Sequence, residues 1–229
     1  METNVNSRRW NELYKIAGIA ALISVAAILL GMVMYFFWPY APGSKSTAEI
    51  FAMLQVHPLG GMISLDLFLL IANLFSVFVF IGLYIALKPV NSSYALMALA
   101  VGLLGLVVLV PARPIPELLA LSKSYTAAAS EAEKSQLLAA GTALLASFDG
   151  IGWFLNSLLG GLSLLASSLL MLHSRDFGKA TAWVGIVTNA AVCFFFVPVA
   201  GKLLLFLSLP GYLVWYYLLA RTFFKRILA

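Results

Sequence analysis

Charge is what this sequence has least of. Its 229 residues include 14 Lys and Arg and nine Asp and Glu, only 10% of the chain, where a water-soluble domain carries about 25%. So little charge excludes a soluble fold of this size. One cysteine, Cys193, excludes an intrachain disulfide and a thiolate metal cluster. Two histidines, His57 and His173, form no His-Glu-x-x-His run and fall in loops a bilayer apart in the topology derived below, so they share no metal. A Gly-rich phosphate loop and a Gly-x-Ser-x-Gly elbow are both missing. No catalytic residue, metal ligand or cofactor is therefore assigned.

What is present is apolar: 62% of the chain is hydrophobic. Runs of about 20 apolar residues match the roughly 30 Å hydrocarbon core of a bilayer, and six of them fit, at about 16–38, 63–87, 94–110, 151–172, 181–200 and 203–219. The fold class expected is all-α, a polytopic transmembrane bundle of six helices forming one integral membrane domain over 1–229. The first run is too long for the apolar region of a signal peptide and leaves through Phe36, Phe37 and Trp38, so it reads as a retained helix. Ser46 or Thr47 is placed to cap a short interfacial helix with Glu49 in its first turn. The polar region 112–149 keeps leucines at helical spacing and reads as two amphipathic helices lying on the bundle. A helix continuous from Glu131 to Leu172 would be about 63 Å long, so a break is expected near Gly150 and Gly152. Pro198 and Pro210 are expected to kink the last two spans, which a short link at Gly201-Lys202 joins as a hairpin.

The net charge of +5 sits at the ends of apolar runs and not in a stripe, which excludes a nucleic-acid partner. With both termini inside, nine basic residues fall inside (Arg8, Arg9, Lys15, Lys88, Arg175, Lys179, Arg221, Lys225, Arg226). Five fall outside (Lys45, Arg113, Lys123, Lys134, Lys202). This bias supports an N-in, C-in protein of the cell (inner, cytoplasmic) membrane with its amphipathic helices outside.

Ionisable and amide groups inside a bilayer are functional hypotheses by default. Asp66 and Asn73 lie seven residues apart in the second run, and Asp149 and Asn156 lie seven apart in the fourth. A Ser stands two before each Asp, and the two copies are offset by 83 residues. Seven residues is close to two helical turns, so each Asp shares a face with its Asn. Both carboxylates fall near the outer boundary, with Arg113 placed to reach them. Two readings follow. One is an outward-facing polar pocket built from Asp66, Asn73, Arg113, Asp149 and Asn156; the other makes the aspartates interfacial caps and the asparagines interhelical glue. Asn189 and Cys193 read as packing, as do Gly102, Gly105 and the Gly160-Gly161 pair, while Trp215, Tyr216 and Tyr217 read as an aromatic belt.

The stretch from Gly82 to Asn91, Gly-Leu-Tyr-Ile-Ala-Leu-Lys-Pro-Val-Asn, continues to Ala95-Leu96-Met97-Ala98. It resembles the turn between the second and third spans of a prokaryotic six-helix membrane family catalogued as domain of unknown function 4386. Asp66, the region from Asp149-Gly150 to Gly160, and Trp183-x-Gly185 carry the same resemblance, whereas Ala41 to Lys45 departs from the family's Gly-Asp-Ala-like element. The resemblance implies a six-helix integral membrane protein and no assigned activity.

The sequence thus leads to a non-enzymatic membrane protein whose partners are the lipid bilayer and a small or lipid-like ligand held in the outward pocket for transport or sensing. The alternative is a structural or assembly subunit bound to a membrane-protein partner. A third reading, an intramembrane hydrolase, needs Asp66 and Asp149 to share a proton.

Overall fold

The computed structural model describes residues 10–198 and 200–228. The charges at Arg8 and Arg9, and the side chain of Lys202, lie outside the described residues. Ten α-helices follow one another among the described residues: α1 (Asn11–Met34), α2 (Thr47–Val56), α3 (Pro58–Ser64), α4 (Leu67–Leu87), α5 (Ser92–Leu109), α6 (Ile115–Ala127), α7 (Glu131–Ala146), α8 (Ile151–Met171), α9 (Lys179–Cys193) and α10 (Ala200–Leu228). There is no strand among the described residues.

Among the described residues, five helical stretches are long and apolar enough to cross a membrane: α1, α4, and those that hold α5, α8 and α10. The run expected at 181–200 is shorter than the others. Its helix α9 stops at Cys193 after 15 residues, about 22 Å at 1.5 Å per residue. Pro198 lacks the N–H that would prolong the helix and follows a turn at Phe194–Val197, so it lies beyond the helix where a kink within it was expected. Gly201 and Lys202 correspondingly belong to α10 and are not the link. Pro210 does lie inside α10.

Helices α1, α4, α5, α8, α9 and α10 form a closed ring in which each packs on the next and α10 returns to α1. Neighbours run antiparallel: Ser24 donates to the Ala72 carbonyl between α1 and α4, while Arg226 of α10 reaches Tyr14 near the start of α1. The start of α1 and the finish of α10 therefore share one end of the bundle. Arg226 also pairs with Asp176, and Lys88 stacks over Trp10 at this end, its ammonium 4.5 Å from the ring centre.

With no water to exclude between helices in lipid, van der Waals contact holds such a ring together, and small residues set how close the backbones come. A methyl on Gly152 would lie 2.8 Å from the Val108 carbonyl oxygen of α5, whereas one on Gly160 would meet nothing within 4 Å. Gly161, not its neighbour, faces Cys193 across the α8–α9 contact. The aromatic belt expected near 215–217 is corrected in two of its three members. Trp215 is fully buried, and Tyr216 is buried with its hydroxyl 3.0 Å from Ser76 Oγ; Tyr217 alone is exposed, at 56%. One face of α10 must fill the ring, and apolar rings serve there as well as at an interface.

The opposite end carries a separate cap. Ile50, Phe51, Leu54, Leu65, Ile115, Leu118 and Phe148 bury one another in a second core between α2, α6 and the segments around them. Ser46 and Glu49 close a capping box at the start of α2, and Ser130 caps α7 by accepting from the Glu133 amide. Thr47 meets Thr142 at 2.7 Å, and Gln55 donates to Ser122 at 2.8 Å, tying α2 to α7 and α6. The break expected near Gly150 is present. A 3-10 turn at Ser147–Asp149 and extended backbone at Gly150 separate α7 from α8.

Candidate functional site at the cap end of the bundle

Asp66 occupies the joint where the cap enters the ring. The short helix α3 ends at Ser64 and the long helix α4 begins at Leu67, and between them Asp66 takes left-handed backbone angles, φ 68° and ψ 26°. L-residues avoid this region because Cβ crowds the backbone; Asp and Asn tolerate it best after Gly. The bend turns the Asp66 side chain inward, and it is 8% exposed.

Both carboxylate oxygens of Asp66 are occupied. Tyr35, at the end of α1, donates to Oδ1, and Arg113 Nε donates to Oδ2 at 3.0 Å. Arg113 is 2% exposed. Its Nη1 donates to the carbonyls of Ala112 and Phe148, each at 3.0 Å, and its guanidinium carbon lies 4.9 Å from the Phe148 ring centre and 4.8 Å from that of Trp153. A planar, weakly hydrated cation stacked on aromatic faces is a setting that suits Arg and not Lys. Nη2 makes no hydrogen bond among the described residues.

The remaining residues of the expected pocket divide. Asn156 is buried and donates to the Gly105 carbonyl at 3.0 Å and to Asn73 Oδ1 at 3.3 Å. Asn73 is half-buried and donates to Leu69 O within its own helix. The two asparagines thus touch, joining α4, α5 and α8. Asp149 is exposed and near enough for its charge to act on Asp66 and Tyr40. The 83-residue echo in sequence therefore brings its asparagines together but gives its aspartates different surroundings. Asp66 is bonded to Tyr35 and Arg113, not to Asp149, so the pair has no shared-proton contact of the kind an aspartyl hydrolase needs. Among the described residues, no three His, Cys, Asp or Glu side chains converge.

Sequence reasoning missed Tyr35, Phe148 and Trp153. The available signal was positional: Tyr35 stands in the aromatic group near the end of the first apolar run, and the two other aromatic residues flank the break at Gly150. The family model described as domain of unknown function (DUF4386) matches residues 16–221, which hold the whole cap and all of the ring except the start of α1 and the end of α10. The chain belongs to that family. No curated protein and no solved structure matches it. Membership spans Asp66, Asn73, Arg113, Asp149 and Asn156 and supplies no chemistry for any of them.

Proposed function

We propose that the protein is a non-enzymatic, multi-pass protein of the cytoplasmic membrane whose cap end receives a small or lipid-like ligand beside Arg113, for transport or sensing. Six helices cross in this reading. α9 completes the ring between α8 and α10, and its shortness is met by local thinning or by the turn that follows it. Both termini are inside. Lys15, Lys88, Arg175, Lys179, Arg221, Lys225 and Arg226 lie toward the end where α1 starts, and most acidic residues, Glu49, Asp66, Glu117, Glu131, Glu133 and Asp149, lie toward the cap.

The observation that carries the ligand reading is Arg113. It is a buried cation fixed by Asp66, Phe148 and Trp153, with Nη2 free of hydrogen bonds among the described residues and the exposed Asp149 nearby. Held this way, it offers a ligand a donor in a fixed position, and Asp149 offers an acceptor. In this reading the Asn73–Asn156 contact lies beneath the ligand.

Thermal unfolding of the detergent-purified protein against a panel of short-chain phospholipids, carboxylates and amines tests this. At least one member is expected to raise Tm, and Asp149→Asn is expected to remove that rise while leaving the unliganded Tm in place, because Asp149 is exposed and carries no packing. Asp66→Asn is expected to lose the rise as well, from a lower starting stability. Full ligand response in both variants would overturn the proposal.

A further inference from the structure

A groove of about 310 Å³ opens between α1 and α10 far from the cap, lined by Leu22, Tyr217, Ala220, Arg221, Phe224 and Lys225. On α10 these residues form one stripe, at i, i+4, i+7 and i+8 for Tyr217, Arg221, Phe224 and Lys225. Their neighbour Arg226 is already engaged by Asp176 and Tyr14. Arg221 and Lys225 pair with no carboxylate among the described residues.

Depth makes this arrangement informative. Lys88 over Trp10 marks the interfacial level at this end, and Arg226 meets α1 one turn above it, at Tyr14. Arg221 is five residues before Arg226, about 7.5 Å further into the bundle. It therefore lies roughly two turns inside the aromatic level on a surface that faces lipid, where an unneutralised cation is unfavourable. Snorkelling toward the interface relieves part of this, and an anion drawn into the groove relieves the rest. Tyr217, Phe224 and Leu22 leave an apolar wall against which acyl chains pack.

We infer that the groove is a binding site for an anionic phospholipid, its phosphate held between Arg221 and Lys225 and its chains along Tyr217, Phe224 and Leu22. Two cations with no carboxylate favour a headgroup with net negative charge over one that brings its own ammonium. Basic recesses between helices at a membrane face hold such headgroups by this charge complementarity. The site is at the opposite end from Arg113 and does not depend on the ligand reading there.

The test is Tm of the delipidated protein in neutral detergent with phosphatidylglycerol, phosphatidylcholine or inorganic phosphate added. Phosphatidylglycerol is expected to raise Tm, with little effect of the other two, and the rise is expected to vanish in R221Q/K225Q, persist in R221K/K225R and persist in the charge control K179Q. Equal stabilisation by phosphatidylcholine, equal stabilisation by phosphate alone, or a full rise in R221Q/K225Q would overturn the inference. Should that double variant not fold, native mass spectrometry of the wild type decides. Preferential retention of phosphatidylglycerol over phosphatidylcholine supports the site, and equal retention contradicts it.

Discussion

The most constrained single residue is Asp66, which does three things at once. It takes a left-handed turn, accepts from Tyr35 and neutralises the buried Arg113. Breaking a buried ion pair by removing one partner is destabilising by about 3–5 kcal/mol, because the surviving charge stays buried without compensation. Asp66→Asn is expected to lose about that much in a reversible unfolding titration while keeping a side chain suited to the left-handed turn. Asp66→Ala is expected to lose about 1–2 kcal/mol more, since Ala adds the backbone penalty. Equal stability of the two variants would mean that the turn carries no strain. The sequence placed Arg113 within reach of both Asp66 and Asp149, because an ionisable residue beside an apolar run needs a partner, and the structure pairs it with Asp66. The sequence left Tyr35 and Trp153 unmarked, because aromatic residues at the ends of spans are ordinary interfacial anchors and nothing in their spacing separates an anchor from a stacking partner.

At the level of single elements, hydropathy located the second, third and fourth runs to within about four residues of α4, α5 and α8, whereas the fifth run overshot the end of α9 and the sixth stopped short of the end of α10; the Ser46 and Gly150 boundaries followed from capping and length. Faces were harder to read. A helix that is apolar all round gives no amphipathic signal to say which side meets lipid, which is why Trp215 and Tyr216 were expected at an interface and instead fill the ring. Two glycines of α8, Gly152 and Gly160, illustrate the same limit. Gly152→Ala would drive a methyl against the Val108 carbonyl and the Ala112 side chain, neither of which swings aside easily. A loss of about 1–3 kcal/mol is expected. Gly160→Ala, with open space around the new methyl, is expected to stay within about 0.5 kcal/mol of the wild type. Both values are read from the same unfolding titration.

The cap of α2 offers a pH signature. Hydrogen bonds from the Ser46 side chain and amide hold the Glu49 carboxyl below the usual carboxylate range. A depressed folded value means the capping contribution is fully present above the unfolded value, about 4.3 for Glu. It is lost as pH falls through the lower, folded value. Amide exchange at 46–50, corrected for its intrinsic pH dependence, is expected to stay slow at neutral pH and to speed up as pH falls from about 4.3 through the lower, folded value. Constant protection across that range would show that Glu49 does not close the box.

As a whole molecule, the chain is a ring of antiparallel helices with a small separate core seated on one end, and the two parts are joined through Asp66, Arg113 and Phe148. Composition and apolar run length made an all-helical membrane protein legible. They could not reveal ring closure, because a contact between the first and last helices depends on packing 200 residues apart and leaves no local pattern. The positive end and the capped end also carry different proposed chemistry, an anionic lipid along α10 and a ligand beside Arg113, so they are separable by mutation.

The ligand account rests on Arg113 being more than a charge. Arg113→Lys keeps the cation opposite Asp66 but removes both the planar stack on Phe148 and Trp153 and the second guanidinium edge. The deciding measurement is the Tm response of this variant, confirmed as helical by circular dichroism, to whichever panel member stabilises the wild type. Loss of that response at retained fold is the predicted result; a response equal to the wild type's would contradict the account.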